Sequence, residues 1–401
     1  MKKDIIKLFA VIALYALSGG MFYSFEELWM IDNMLSIRTV GIVFSLCSVV
    51  SVSLIFLCSN LIRQKYLKKF VLFLLMLKSL LLISLFMLNG SGYSVLIKFI
   101  VIIEYAIDSE IFTCFYPLLS MIKKDDKIYA RRGLINSGFD YFSVLLGGFL
   151  VGKEILGIVF NYNTIVFLSF VCIVISFLIL LTIPFGKYLS DEDKKEYNLL
   201  TKLVQNLNKD KISLNYLLFV LVGNISYYGI LGLKTTLFTN DLGFSLQSFS
   251  VFSVVVGIIA VFIGTLILEK FTFKNNYINA FIKYGFRAVL FIIAIILSNK
   301  SVYFITLLYI LLITESYTHV LDAPFINRFD DKLQLAFSNL REMFSYFGIA
   351  IGTFFCGILL TCDIKFNFVF ALIFCILQVL FLFIAINLKE KEDNCDRKWL
   401  G

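Results

Sequence analysis

Glu104 and Asp108 lie four residues apart inside an apolar run, so a helix there carries both carboxyls on one face. A charged side chain at the centre of a bilayer costs about 3 kcal/mol on insertion scales, and those that persist face a cavity or one another. Two neighbouring carboxyls in a low-dielectric site cannot both ionise cheaply, so the pair can hold a proton. A structural ion-pair network with Lys78 or Lys98 is the competing reading. A second constellation, Glu315, His319 and Asp322, falls at i, i+4 and i+7 on one face that ends at Pro324. A neutral imidazole one turn from a carboxylate can relay a proton, although a hydrogen-bonded core histidine is the plainer alternative. Asp140 is a further acid in an apolar segment, and Arg341 with Glu342 stands about two turns into another. An unpaired guanidinium there is expensive. Glu315 or Asp322 would suit Arg341 as a partner, and anion binding is its other possible use.

These residues sit in a chain built for lipid. Of 401 residues, 60% are apolar and 16% charged, against roughly 45–50% and 25% in soluble domains. Mean hydropathy is +0.90. That balance excludes a disordered chain, a disulfide scaffold and an ordinary soluble enzyme. The eight cysteines show no metal-type spacing, and one histidine leaves no His-based metal site or catalytic triad. No phosphate-binding G-x-x-x-x-G-K-[ST] loop occurs, so no nucleotide and no cofactor is expected.

A helix needs about 20 apolar residues to cross the hydrocarbon. Twelve segments qualify: 7–30, 39–60, 70–88, 95–120, 130–152, 163–184, 213–236, 246–268, 278–297, 302–324, 334–359 and 366–387. The first begins with a basic stretch but has no cleavage pattern after it, so it reads as a retained span. The polar stretch 185–212 divides the chain into six-span bundles at 1–184 and 213–387, followed by a tail at 388–401. Most of the 36 Lys and Arg fall at the N-terminus, in the even-to-odd connections and in the tail. The opposite loops carry only Arg38, Lys153, Lys300 and Lys365. The positive-inside rule therefore puts both termini in the cytoplasm and accounts for the formal charge of +8 without nucleic acid. On that topology Glu26 and Glu27 close span one at the outer surface, and Lys234 closes span seven there. An ion pair between them, made in one state and broken in another, would act as an outer gate. Independently solvated rim charges are the alternative. Gly19 and Gly20 in span one, with Gly229 and Gly232 in span seven, would permit close packing. Tyr23, Phe25, Tyr227 and Tyr228 could line an aromatic pocket.

The halves also resemble each other. Residues 125–152 and 330–357, offset by 205, share Asp125/Asp330, Asp126/Asp331, Lys127/Lys332, Gly147/Gly352 and Gly152/Gly357 among other matches. Lys78 and Lys283 match at the same offset, and Asp108 and Glu315 at 207. An even number of spans per half makes the repeats parallel in the membrane. Six plus six spans, cytoplasmic termini and a charged central loop resemble the major facilitator superfamily over essentially the whole chain. Its signature loop between spans two and three is matched by Asn60-Leu61-Ile62-Arg63-Gln64-Lys65-Tyr66-Leu67-Lys68-Lys69, without both glycines and the Asp. In the second half Glu269 and Lys270, before Phe271, keep the acid, base and aromatic positions.

That resemblance implies an all-α integral membrane protein with twelve transmembrane helices in two parallel six-helix repeats, a non-enzymatic, monomeric secondary transporter of the cell membrane. Spans one, four, seven and ten would line its cavity, placing Glu104, Asp108, Glu315 and His319 there. The span-four antiporter motif is absent: Glu104 stands where it carries Arg. Similarity to drug exporters suggests proton-coupled efflux of an amphipathic solute, with protons, the solute and the bilayer as partners. Nutrient or peptide uptake is the alternative within transport. A membrane-embedded enzyme or a sensor is the alternative class, disfavoured by short, His-free loops.

Overall fold

The computed structural model describes all residues except 1, 34, 62–65, 90–91, 123–125, 156–157, 189–198, 263–277, 279–280, 298–301, 315–324, 326–327, 330 and 400–401. The first six predicted spans are helical: α1 (Lys2–Tyr23) with α2 (Glu26–Asp32), α3 (Ile37–Leu61), α4 (Leu67–Leu88), α5 (Ser94–Ile122), α6 (Asp126–Leu150) and α7 (Tyr162–Leu181). After α8 (Leu199–Asn206) come α9 (Lys211–Leu231), the short α10 (Lys234–Thr236), α11 (Leu246–Phe262), α12 (Phe286–Ile296), α13 (Val302–Thr314), α14 (Asp331–Leu359) and α15 (Ile364–Trp399). Among the described residues, seven helices are long and apolar enough to cross a membrane. The protein is all-α among the described residues, apart from a two-residue antiparallel ladder, Glu154–Ile155 against Ile158–Val159. Gly152, between α6 and this ladder, has φ 82°, a left-handed conformation that side chains disfavour.

The chain forms two compact bodies, Met1–Glu196 with Thr235–Val254 and Tyr197–Lys234 with Val255–Gly401. Residues 235–254, which follow the central loop in sequence, thus cluster with the first body.

In the first body α1 packs on α6 and α7, α7 also on α4, and α5 on α3 and α4. In the second, α9 packs on α14 and α15, and α15 also on α12. In span terms the pairs one–five, one–six and three–six recur as seven–eleven, seven–twelve and nine–twelve, which is the internal repeat expressed in packing. Lipid is as apolar as leucine, so these contacts depend on small residues and polar links. Ser18 of α1 and Ser169 of α7 each donate to the other's carbonyl at 3.1 Å. A Cβ on Gly348 would lie 2.3 Å from the Leu221 carbonyl oxygen, so α14 and α9 approach as only glycine allows.

Helix starts follow ordinary capping chemistry. Asn161 and Thr164 form a capping box on α7. Asp210 caps α9, accepting from the Ser213 amide at 3.1 Å, and Arg328 reaches the same carboxylate at 3.3 Å and Glu392 at 3.0 Å. Burial opposes the charge on Asp210, but hydrogen bonds from Ser213 and the Arg328 guanidinium outweigh it and hold the carboxyl below its ordinary 3.8. A lowered folded value stabilises above the unfolded one and loses that stability as pH falls through the folded value. Asp210→Ala should therefore cost about 1 kcal/mol near neutrality, and its deficit relative to wild type should shrink below about pH 4 in thermal melts. A deficit that does not change with pH would remove the charge from this account.

Candidate functional site

On span four, Glu104 and Asp108 stand against a shared cation. α4 and α5 bring Lys78, 1% exposed, against Glu104, 0% exposed, at 3.1 Å and against Asp108 as well. The choice between Lys78 and Lys98 is settled by packing: Lys78 is the residue that α4 turns toward α5. α1 completes the cluster with two phenols. Tyr15 donates to the Asp108 carboxylate and stands 2.7 Å from its carbonyl oxygen. The Tyr23 hydroxyl accepts from Lys78 at 2.9 Å and donates to Glu104 at 3.0 Å. The ammonium also lies 5.1 Å and 5.0 Å from the ring centroids of Tyr15 and Tyr23, within cation–π range. Tyr105 stacks edge-on against Tyr23 at 5.7 Å and near Phe44 at 6.3 Å, so the wall of the cluster is aromatic.

The result is a desolvated ion pair network with hydrogen bonds to both carboxylates, the condition under which buried charges are tolerated. Asp108 keeps 21% exposure, so the network has one wet edge. Sequence spacing contained an unread signal here: Tyr15, Gly19 and Tyr23 fall at i, i+4 and i+8, one stripe on α1.

Glu26 and Glu27 are buried, not solvated at a rim: they are 0% and 6% exposed at the start of α2. The two differ in partners. Glu27 accepts from the Thr236 amide at 2.8 Å and from its hydroxyl at 3.0 Å. Among the described residues neither oxygen of Glu26 has a hydrogen-bond partner, nor has the indole nitrogen of Trp29 one turn on. Lys234 opens α10 and is exposed.

Other candidates are scattered. Asp140 on α6 lies against Gly20 of α1. Arg341 donates to the Tyr216 hydroxyl at 3.1 Å and to Glu342 at 2.7 Å. Lys69 begins α4. Gln64, Lys65, Glu269, Lys270, Glu315, His319 and Asp322 lie outside the described residues. Glu110, the third acid of span four, turns away from the cluster toward thiols, with Cys114 at 3.6 Å and Cys58 also bonded to it. Among the described residues no group of His, Cys, Asp and Glu is arranged to hold a metal.

No protein-family model and no curated protein sequence matches this chain. Solved structures do. The POT family transporter PepTSo superposes with TM-score 0.70 at 11% identity, covering 96% of this chain and 98% of its own. The nucleoside transporter NupG gives 0.68 at 14% identity, with 96% and 98% covered. A D-xylose–proton symporter gives 0.66 at 12% identity, with 94% and 96% covered. The chain therefore has the major facilitator fold from end to end.

Proposed function

We propose that this protein is a secondary active transporter of the cell membrane that moves a small organic solute by alternating access, coupled to protons, with efflux of an amphipathic compound as its direction. The observation that carries this reading is the buried network of Lys78, Glu104 and Asp108, wet only at Asp108 and walled by tyrosines. A network of this kind costs stability against a hydrophobic core of equal volume, so a working role accounts for its retention. The fold shared with solute transporters supports the class, and the aromatic lining supports an amphipathic rather than a sugar-like solute. Proton-linked uptake is the second reading, favoured by the xylose–proton symporter among the similar structures.

Reconstitution into liposomes containing a pH-sensitive dye tests this. Amphipathic amines, nucleosides, sugars and short peptides are added outside, and internal pH is followed. Exchange predicts internal alkalinisation as a solute enters, whereas symport predicts acidification. Solute accumulation undiminished by a protonophore would end the proton reading.

A further inference from the structure

We propose that Glu26 is the proton-binding carboxyl of the first body, held as a neutral acid while Glu104 and Asp108 remain ionised on Lys78. The inference deepens the reading of proton coupling and takes its functional meaning from it. One ammonium, Lys78, serves two carboxyls here, the buried Glu104 and the partly exposed Asp108. Glu104 has Lys78 and the Tyr23 hydroxyl, and Asp108 has Lys78 and the Tyr15 hydroxyl. Among the described residues Glu26 has no hydrogen-bond donor on either oxygen and no ion pair, at 0% exposure. An isolated carboxylate in such surroundings neutralises instead of remaining charged.

The groups facing Glu26 sharpen the point. They are Glu104 and Asp108 from α5, Lys78 from α4, Glu27 from its own helix, Tyr23 from α1 and the Cys47 thiol from α3. Three of these are carboxyls and one is a cation. A carboxylate at position 26 thus meets net repulsion, which a proton removes. Glu27, its sequence neighbour, needs no proton because Thr236 donates to it twice.

The same arrangement says when the proton would leave. If Lys78 released Asp108 and turned to Glu26, the ammonium would stabilise the carboxylate and the proton would depart. Tyr23, which accepts from Lys78 and donates to Glu104, sits where such an exchange would pass.

Infrared difference spectroscopy on the full-length protein in lipid vesicles, stepped between neutral and alkaline pH, reads this without a solute. Wild type should show the carbonyl stretch of a protonated buried carboxyl, downshifted in D2O. Glu26→Gln should abolish that band, Glu26→Asp should shift its frequency, and Glu104→Gln should leave it. A band that neither vanishes in Glu26→Gln nor shifts in Glu26→Asp overturns the assignment, as does its absence from wild type. Should the band behave as expected while solute accumulation ignores a protonophore, Glu26 still binds the proton and the coupling reading is the one that fails.

Discussion

Lys78→Met should destabilise the protein by about 3–5 kcal/mol, the cost of leaving a buried charge without its partner. Methionine fills a similar volume, so the loss is electrostatic and not a cavity. With the ammonium gone, Glu104 at 0% exposure keeps only the Tyr23 hydroxyl, and Asp108 keeps Tyr15 and its wet edge. Neutralising the partners tests the cause. Lys78→Met combined with Glu104→Gln and Asp108→Asn should recover most of the lost stability, because the polar triad is then replaced as a unit. Thermal unfolding of the purified protein in detergent measures both variants against wild type. If Lys78→Met melts within 1 °C or so of wild type, the ammonium is not the counter-charge described here.

The second large effect concerns adjacent glycines with opposite surroundings. A Cβ on Gly20 would fall 1.9 Å from the Ser143 hydroxyl and 2.4 Å from the Asp140 carbonyl oxygen, the latter being backbone that cannot rotate away. On Gly19 the nearest atom is a Tyr23 ring carbon at 3.6 Å, ordinary contact. Gly20→Ala should therefore force α1 away from α6 and cost about 1–3 kcal/mol. Gly19→Ala should be neutral or stabilise by up to about 1 kcal/mol through helix propensity. Because α1 carries Tyr15 and Tyr23, the Gly20 variant should also lose transport while the Gly19 variant keeps it. Equal melting points for the two variants would show that α1 and α6 are not so closely packed.

The apolar runs made the architecture legible, since hydrocarbon thickness leaves few choices for segments of such length. The 205-residue repeat was legible too, because glycines at helix contacts cannot drift: Gly352 on α14 meets the Ile225 carbonyl of α9. Glu104 and Asp108 were found from spacing, whereas their shared cation was not fixed by it. Lys78 is distant in sequence, and only the rotation of α4 selects it over Lys98. Glu26 reads from sequence as an outer-rim residue, a gate charge or a solvated one, because hydropathy treats the end of an apolar run as the membrane edge. In fact α1 stops at Tyr23 and a new helix begins at Glu26, which turns that carboxyl inward. No periodicity marks such a break. Glu110 shows the reverse failure: two residues from Asp108, it occupies another face and meets sulfur.

The clustering of Thr235–Val254 with the first body has a bearing on the order of synthesis. Domains emerging from the ribosome generally complete themselves N-terminus first. Here the first body cannot do so at the end of its sixth span. Glu27 receives both donors from Thr236, and Gly148 is packed against Ser250, so the nascent body waits through the polar loop and α9 for its last contributions. An N-terminal fragment ending at the central loop lacks the Thr236 donors to Glu27 and the Ser250 side chain over Gly148, and is accordingly an unfinished object. A cut at the most polar stretch of the chain therefore does not yield the first body.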